Sequence, residues 1–321
     1  MKAVQVVARG QVEFVEAPKP VVTPGHALIR CHRLSLCGSD IFLIDHSDES
    51  RYPFAAGTTG HEMVGYVEEV MEPSNGVKVG DLALVMVPAH EAMAEYYVAP
   101  VEFVLVFPDK TPIEEMLQAQ QLGTVIYAAK KLPNIIGKRV AVIGQGSAGL
   151  WWNYMTRRMG AIQVIGIDLQ AHRLQLSGRY GATDTIHNIG GDIPAAVMAL
   201  TGGHLADVVV VAAGESDTVN LGISLVADHG FILQFGVPHD RFVNVDFGDL
   251  FRRCATLQPI VYATREPGLV STYLAMDLIA NGEVDVKPII THRFKFDQVL
   301  DAYELQRTRD EGAVKIVIEM D

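Results

Sequence analysis

Short apolar runs punctuated by Gly, Pro and Asp set the pattern of the first third of the chain: VQVV, HALIRC, MVGYVEEV, DLALVMV, EYYV and FVLVF, as far as Pro108. Runs of that length between turn residues predict strands, so this part is expected to be mostly β. From about Glu114 to Leu132 the residues are helix formers with no internal proline, which predicts a helix and a domain junction close to it. Beyond Gly137 strand-like and helix-like stretches alternate: RVAVIG, AGLWWNYMTRRMG, QVIGID, AHRLQLSGRYG, DTIHN, IPAAVMALTG, DVVVVAAG, TVNLGISLVADHG and FILQFGV. Such alternation predicts a parallel sheet with helices on both faces, and an unbroken aliphatic run such as DVVVVAA is what a strand buried on both faces requires. After Tyr262 two helix candidates, VSTYLAMDLIANG and one around FDQVLDAYELQRT, precede a β-like VKIVIEM.

A length of 321 residues exceeds what one core usually serves, so two domains are expected. With 49% hydrophobic and 20% charged residues the chain has the composition of a globular protein with a large core. Its formal charge of −12, without any basic block, argues against binding to nucleic acid or to an anionic membrane surface. No apolar run approaches the roughly 20 residues of a membrane span, and the start lacks a basic segment leading into a long apolar one, so a cytoplasmic location is expected. Cys31, Cys37 and Cys254 are too few for a disulfide framework and fit a reducing compartment, which leaves metal binding or packing as their roles.

Two constellations carry chemistry. In VAVIGQGSAGLWWN, Gly144, Gly146 and Gly149 form a G-x-G-x-x-G array between a strand and a helix. That context lets a backbone turn approach a pyrophosphate, with the helix beginning at Ser147 and Ala148 turning its free N–H groups toward the phosphates. Asp168, at the end of the next strand, is placed to accept the ribose hydroxyls of NAD and to repel the 2′-phosphate of NADP; its alternative role is a helix N-cap. Arg173 either covers the adenine or ribose face or is a solvated helix residue. Trp151 and Trp152 follow the turn and are expected in the core.

The other constellation is LCGSD, Leu36 to Asp40, with GTTGHEMVGYV, Gly57 to Val67. Together with KVGDLALV, AEYYVAP, VAVIGQGSAGL and ITHRFKFDQVLDAYE, these fragments make the chain resemble the zinc-dependent medium-chain dehydrogenase/reductase family, which includes alcohol, sorbitol and threonine dehydrogenases. The resemblance runs over nearly the whole length. It implies an α/β fold with a GroES-like β-rich catalytic domain, residues 1–123 and 263–321, and a doubly wound Rossmann coenzyme domain, residues 124–262. It implies that Cys37 and His61 bind a catalytic zinc, for which thiolate and imidazole are suitable donors in any protein. Glu62 matches the glutamate behind that metal, able to enter its coordination shell or to anchor a buried Arg or backbone amides. Ser39 matches the hydroxyl that hydrogen-bonds the substrate oxygen and starts a proton relay.

The sequence departs from the family pattern in three places. Counted back from Gly144, the third-ligand position falls on Gln120, whose neutral oxygen is a poorer donor than carboxylate or thiolate; Gln121, His90 and Glu91 are alternatives. Only LALVMVPAHEAMA separates Asp81 from Glu95, with no cysteine for a structural zinc. Phe42 stands where the family has a relay histidine, and His46 is a possible substitute. The expectation is therefore an NAD-preferring alcohol or polyol dehydrogenase with one catalytic and no structural zinc, acting on a small molecule in a cleft to which Phe42, Phe54 and Tyr127 contribute, and assembled as a homodimer or homotetramer. Its competitors are a zinc-free reductase of the same superfamily acting on a quinone or activated double bond, and a nucleotide-binding protein without turnover.

Overall fold

The computed structural model describes residues 1–108, 112–260 and 262–320. Its backbone contacts divide the chain between Gly123 and Thr124 and again just before Tyr262.

The N-terminal part opens with β1 (Lys2–Ala8) and β2 (Gln11–Glu16), an antiparallel pair. Then come β3 (His26–Ser35), helix α1 (Gly38–Asp45), β4 (Glu62–Val70), β5 (Leu82–Met86), β6 (Tyr96–Pro100) and β7 (Val104–Val106). Two helices follow, α2 (Ile113–Leu117) and α3 (Ala119–Ala129). The continuous helix predicted across Glu114–Leu132 is thus broken at Gln118, a fully buried residue that caps α2.

The doubly wound part runs β8 (Arg139–Ile143), α4 (Ser147–Arg158), β9 (Gln163–Asp168), α5 (Ala171–Ser177), β10 (Asp184–His187), α6 (Ile193–Leu200) and β11 (Ala206–Val211). It continues with α7 (Thr218–Leu225), β12 (Val226–Gln234), α8 (Phe247–Arg252) and β13 (Thr256–Pro259). All six strands are parallel in the order β10-β9-β8-β11-β12-β13. The order reverses direction between β8 and β11, the switch point at which doubly wound sheets bind nucleotides. Ile143, Ile165, Val209, Val211 and Ile232 are buried in the core of this sheet, as their continuous aliphatic runs predicted. Helix α7 ends sooner than the pattern TVNLGISLVADHG suggests, because Val226 already pairs with Ala206 in the sheet. Trp151 and Trp152 are fully buried, packed edge-on against Tyr180 and Phe235.

The chain then returns to the first part with α9 (Val270–Ala280), β14 (Ile290–Lys295), α10 (Val299–Thr308) and β15 (Lys315–Glu319). Strands β14, β15, β3, β4, β5 and β7 form one sheet in that order, with β6 also pairing with β3. Its core holds Ile29, Leu34, Met63, Val85, Ile316 and Ile318. The C-terminal strand therefore lies beside β3, in register Val317 to Ser35, and completes the sheet that carries the metal-type residues. No helix among the described residues is long and apolar enough to cross a membrane.

Candidate active site

Helix α1 starts immediately after Cys37, and its N-terminus explains how the cysteine is held. Cys37 is the N-cap, and Asp40, three residues on, accepts a hydrogen bond from the Cys37 backbone N–H through Oδ2 at 2.8 Å, half of a capping box. Asp40 is completely buried, and its other oxygen accepts from the Gly60 N–H at 3.0 Å. One carboxylate thus fastens the start of α1 to the turn that delivers His61. Sequence reasoning gave Asp40 no role, although an acid three residues after a cap was the signal.

The result is a cluster: Cys37, His61 and Glu62 each offer a ligand atom, all within 4.8 Å of one another. His61 faces Asp40 Oδ1 with Nδ1 at 3.4 Å and Glu62 Oε1 with Nε2 at 3.9 Å. Burial by itself would raise the Cys37 thiol, but His61 beside it outweighs burial and the thiol lies below its ordinary value of 9.0. For the same reason His61 lies well above the ordinary imidazole value, since Asp40 and Cys37 overcome the effect of its burial. Burial would likewise raise Asp40, yet the two imidazoles facing it, His61 and His90, hold it below the usual carboxylate range. A half-buried thiol held toward the thiolate, beside an imidazole and a carboxylate, fits a thiophilic divalent metal in the donor chemistry it offers. In metal-free protein, iodoacetamide should therefore reach half its limiting rate at Cys37 below pH 9, and His61→Ala should move that midpoint upward by removing the group that stabilises the thiolate. A midpoint at or above pH 9 in the parent protein contradicts this electrostatic reading.

Glu62 is tied to a partner that the sequence analysis missed. Lys315, on β15, donates to Glu62 Oε1 at 2.8 Å, to Oε2 at 2.7 Å and to the Leu36 carbonyl at 3.3 Å, and Ser35 Oγ also donates to Glu62. Both charged side chains are essentially inaccessible, at 1% and 0% exposure. A lysine inside the aliphatic run VKIVI was the legible clue, because an ammonium in a buried strand needs a carboxylate.

The contact with Cys37 comes from Gln121, one residue past Gln120, whose Nε2 lies 3.8 Å from the sulfur. Both glutamines are buried. Ser39 is half-buried in the first turn of α1. Phe42 stacks on His46, which caps the far end of α1 and is exposed. Among the described residues neither His46 nor Glu91 belongs to a cluster of metal-type donors, whereas His90 joins Asp40 and His61 in a second one. Phe54 packs with Tyr52 against the core of the sheet.

The glycine turn has the expected form. Gly144 has a φ of +90°, and a Cβ on Gly149 would stand 1.8 Å from the Gly144 carbonyl oxygen, so the helix meets the strand at a distance no side chain permits. Gly146 caps α4, and Ser147, Ala148 and Gly149 form its first turn. Gln145, to which no role was given, turns inward: its side chain donates to the Val142 carbonyl and accepts from Asn153 and Ser177. Asp168 accepts from the Gln145 N–H at 2.5 Å and the Gln170 N–H at 2.7 Å, while the N-cap of α5 is Gln170, so Asp168 braces the glycine turn rather than capping the helix. Arg173 is buried on α5 with Nη1 3.6 Å from the point where a Gly146 Cβ would lie, which corrects its reading as a solvated helix residue.

Comparison with known proteins identifies the family and the fold. Residues 23–109 match the alcohol dehydrogenase GroES-like domain and residues 148–280 the zinc-binding dehydrogenase domain, together more than two thirds of the chain. The chain belongs to the zinc-type medium-chain dehydrogenase/reductase family. Among its relatives are sorbitol dehydrogenase 1 of Saccharomyces cerevisiae, 26% identical over 96% of this chain and 95% of that protein, and L-threonine 3-dehydrogenase of Pyrococcus furiosus, 27% identical over the same shares. The alcohol dehydrogenase of Thermus sp. ATN1 has the same fold, with a TM-score of 0.86 at 22% identity and full coverage of both chains. This family member accordingly combines a GroES-like unit with a Rossmann unit.

Proposed function

We propose that this family member oxidises an alcohol or polyol, or reduces the corresponding ketone or aldehyde, using NAD(H) and one zinc ion per chain. The observation that carries the reading is the convergence of Cys37 and His61, from two separate segments, with their donor atoms and that of Glu62 within 4.8 Å. When bound there, zinc supplies Lewis-acid stabilisation of the substrate oxygen, and the nicotinamide supplies the hydride chemistry. The chain's own residues do the rest. Cys37 and His61 would hold the metal. Asp40 Oδ1 faces His61 Nδ1 at 3.4 Å, which would leave Nε2 for the metal. Glu62 with Lys315 provides a fixed, neutral pair beside the site. Ser39, in the first turn of α1, is assigned the hydroxyl that hydrogen-bonds the substrate oxygen and hands on its proton. The first turn of α4, from Ser147 to Gly149, takes the pyrophosphate of the coenzyme. The expected partners are a small alcohol or carbonyl substrate and further copies of the chain in a homodimer or homotetramer, in the cytoplasm.

A panel of alcohols and polyols with NAD, read by NADH absorbance, tests the reading. Turnover of at least one class that stops on removal of zinc supports it. Turnover confined to quinones or activated double bonds and indifferent to chelator would replace it with the zinc-free reductase reading, which the amide side chains of Gln120 and Gln121 favour.

Asp168 is assigned the preference for NAD over NADP. Because its two oxygens also brace backbone N–H groups, loss of the carboxylate has two separable effects. In Asp168→Ala the loosened turn should weaken both coenzymes, and the lost repulsion should in addition cut the ratio of NAD to NADP affinity by about tenfold, roughly 1.4 kcal/mol. Equal weakening of both coenzymes would leave Asp168 a bracing residue only.

A further inference from the structure

Gln145 stands between the first two glycines of the turn, and it is fully buried, whereas Gly144 and Gly146 on either side of it are half-buried. An amide taken out of water is costly unless its donors and acceptors are met. Here all of them are met. Nε2 donates to the Val142 carbonyl at 3.0 Å and to the Gly144 carbonyl at 3.3 Å, at the end of β8. Oε1 accepts from Asn153 Nδ2 on α4 at 2.6 Å and from Ser177 Oγ on α5 at 2.8 Å. The end that faces two carbonyls has to be the NH2, so the amide sits one way round. The backbone N–H of the same residue donates to Asp168, the last residue of β9.

The surrounding glycines leave room for this side chain. A Cβ on Gly166, in β9, would stand 2.8 Å from Gln145 Oε1. The Gly144 carbonyl to which Gln145 donates is also the one whose oxygen lies 1.8 Å from where a Gly149 Cβ would be. Gln145 therefore fastens the point at which strand and helix come closest, and it joins β8, α4, β9 and α5 at one residue. Hydrogen bonds set direction as well as distance, which is what a turn that presents N–H groups to a ligand requires.

We propose that Gln145 is the positioning residue of the coenzyme turn: its amide holds the backbone from Gly144 to Gly149 in the shape that presents the free N–H groups of α4 to a pyrophosphate. This rests on the preceding reading that the first turn of α4 takes the pyrophosphate.

The test measures binding of ADP and of adenosine to the whole protein by calorimetry, well below the melting temperature, for the parent, Gln145→Met and Ser177→Ala. ADP carries the pyrophosphate of the coenzyme and adenosine lacks it. Methionine keeps the length of the side chain and removes its four hydrogen bonds, whereas alanine at position 177 removes one of them and leaves Oε1 held by Asn153. Gln145→Met should bind ADP about tenfold more weakly and Ser177→Ala about threefold, each with adenosine affinity within about twofold of the parent's. Unchanged ADP affinity in Gln145→Met, or in Ser177→Ala should Gln145→Met fail to fold, would overturn the proposal. So would equal weakening of ADP and adenosine, the mark of a general loosening of the unit. A parent protein that binds ADP no better than adenosine, or binds neither, would overturn the reading of the turn and the role of Gln145 together.

Discussion

Lys315→Met should destabilise the protein by about 3–5 kcal/mol, the cost of leaving one member of a buried ion pair without the other. Lys315 and Glu62 are both inaccessible to water, and the ammonium meets both carboxylate oxygens within hydrogen-bond distance. Methionine has nearly the length of lysine and fills the space, so the loss isolates the charge from the packing. In a Glu62→Gln background the same substitution should cost about 1 kcal/mol, since a neutral amide is left and no buried charge is stranded. The difference between the two costs is the coupling of the pair, read from urea unfolding of the four metal-free proteins. A single-mutant cost below about 1 kcal/mol would mean that Glu62 finds another counter-charge and that β15 contributes only backbone pairing to the site.

Cys37→Ala should have the largest effect on function. Cysteine is the only thiolate donor of the cluster, and the helix cap it occupies places it against His61. Alanine there removes the proposed metal ligand without disturbing the Asp40 hydrogen bonds, which go to backbone N–H groups at Cys37 and Gly60. If Lewis-acid stabilisation is worth about 4 kcal/mol, turnover should fall by about a thousandfold, with metal content falling in parallel and coenzyme affinity unchanged. Coenzyme affinity is the internal control, because the glycine turn from Gly144 to Gly149 belongs to a separate unit of the chain. Retained turnover in Cys37→Ala would remove the metal from the chemistry.

What the sequence made legible, and what it hid, follows the range of the interactions concerned. The doubly wound sheet was readable because its central strands β8 and β11 are unbroken aliphatic runs and because α4 and α5 are bounded by Gly146 and Gly178. The glycine turn was readable because its demands are local: Gly149 is fixed by a carbonyl five residues away. Cys37 and His61 were found through the fragments around them. Helix α1 was not, since its apolar residues Ile41, Phe42, Leu43 and Ile44 are consecutive and carry no helical period. The supports of the site were hidden because each acts across long sequence distances. Lys315 reaches Glu62 across 253 residues, and Asp40 reaches Gly60 across 20. His90 was among the candidates on proximity of sequence to the shortened loop, but its ring contact with His61 depends on a left-handed backbone that no pattern announces. The choice between Gln120 and Gln121 was a matter of one residue on a helix, about 100° of rotation, beyond the resolution of counting.

The most direct test of the account is to remove zinc from the parent protein with a chelator and restore it in steps, measuring alcohol- or polyol-dependent NADH formation against bound metal. The account predicts that activity rises in proportion to occupancy and saturates at one zinc per chain. Full turnover by metal-free protein would contradict it.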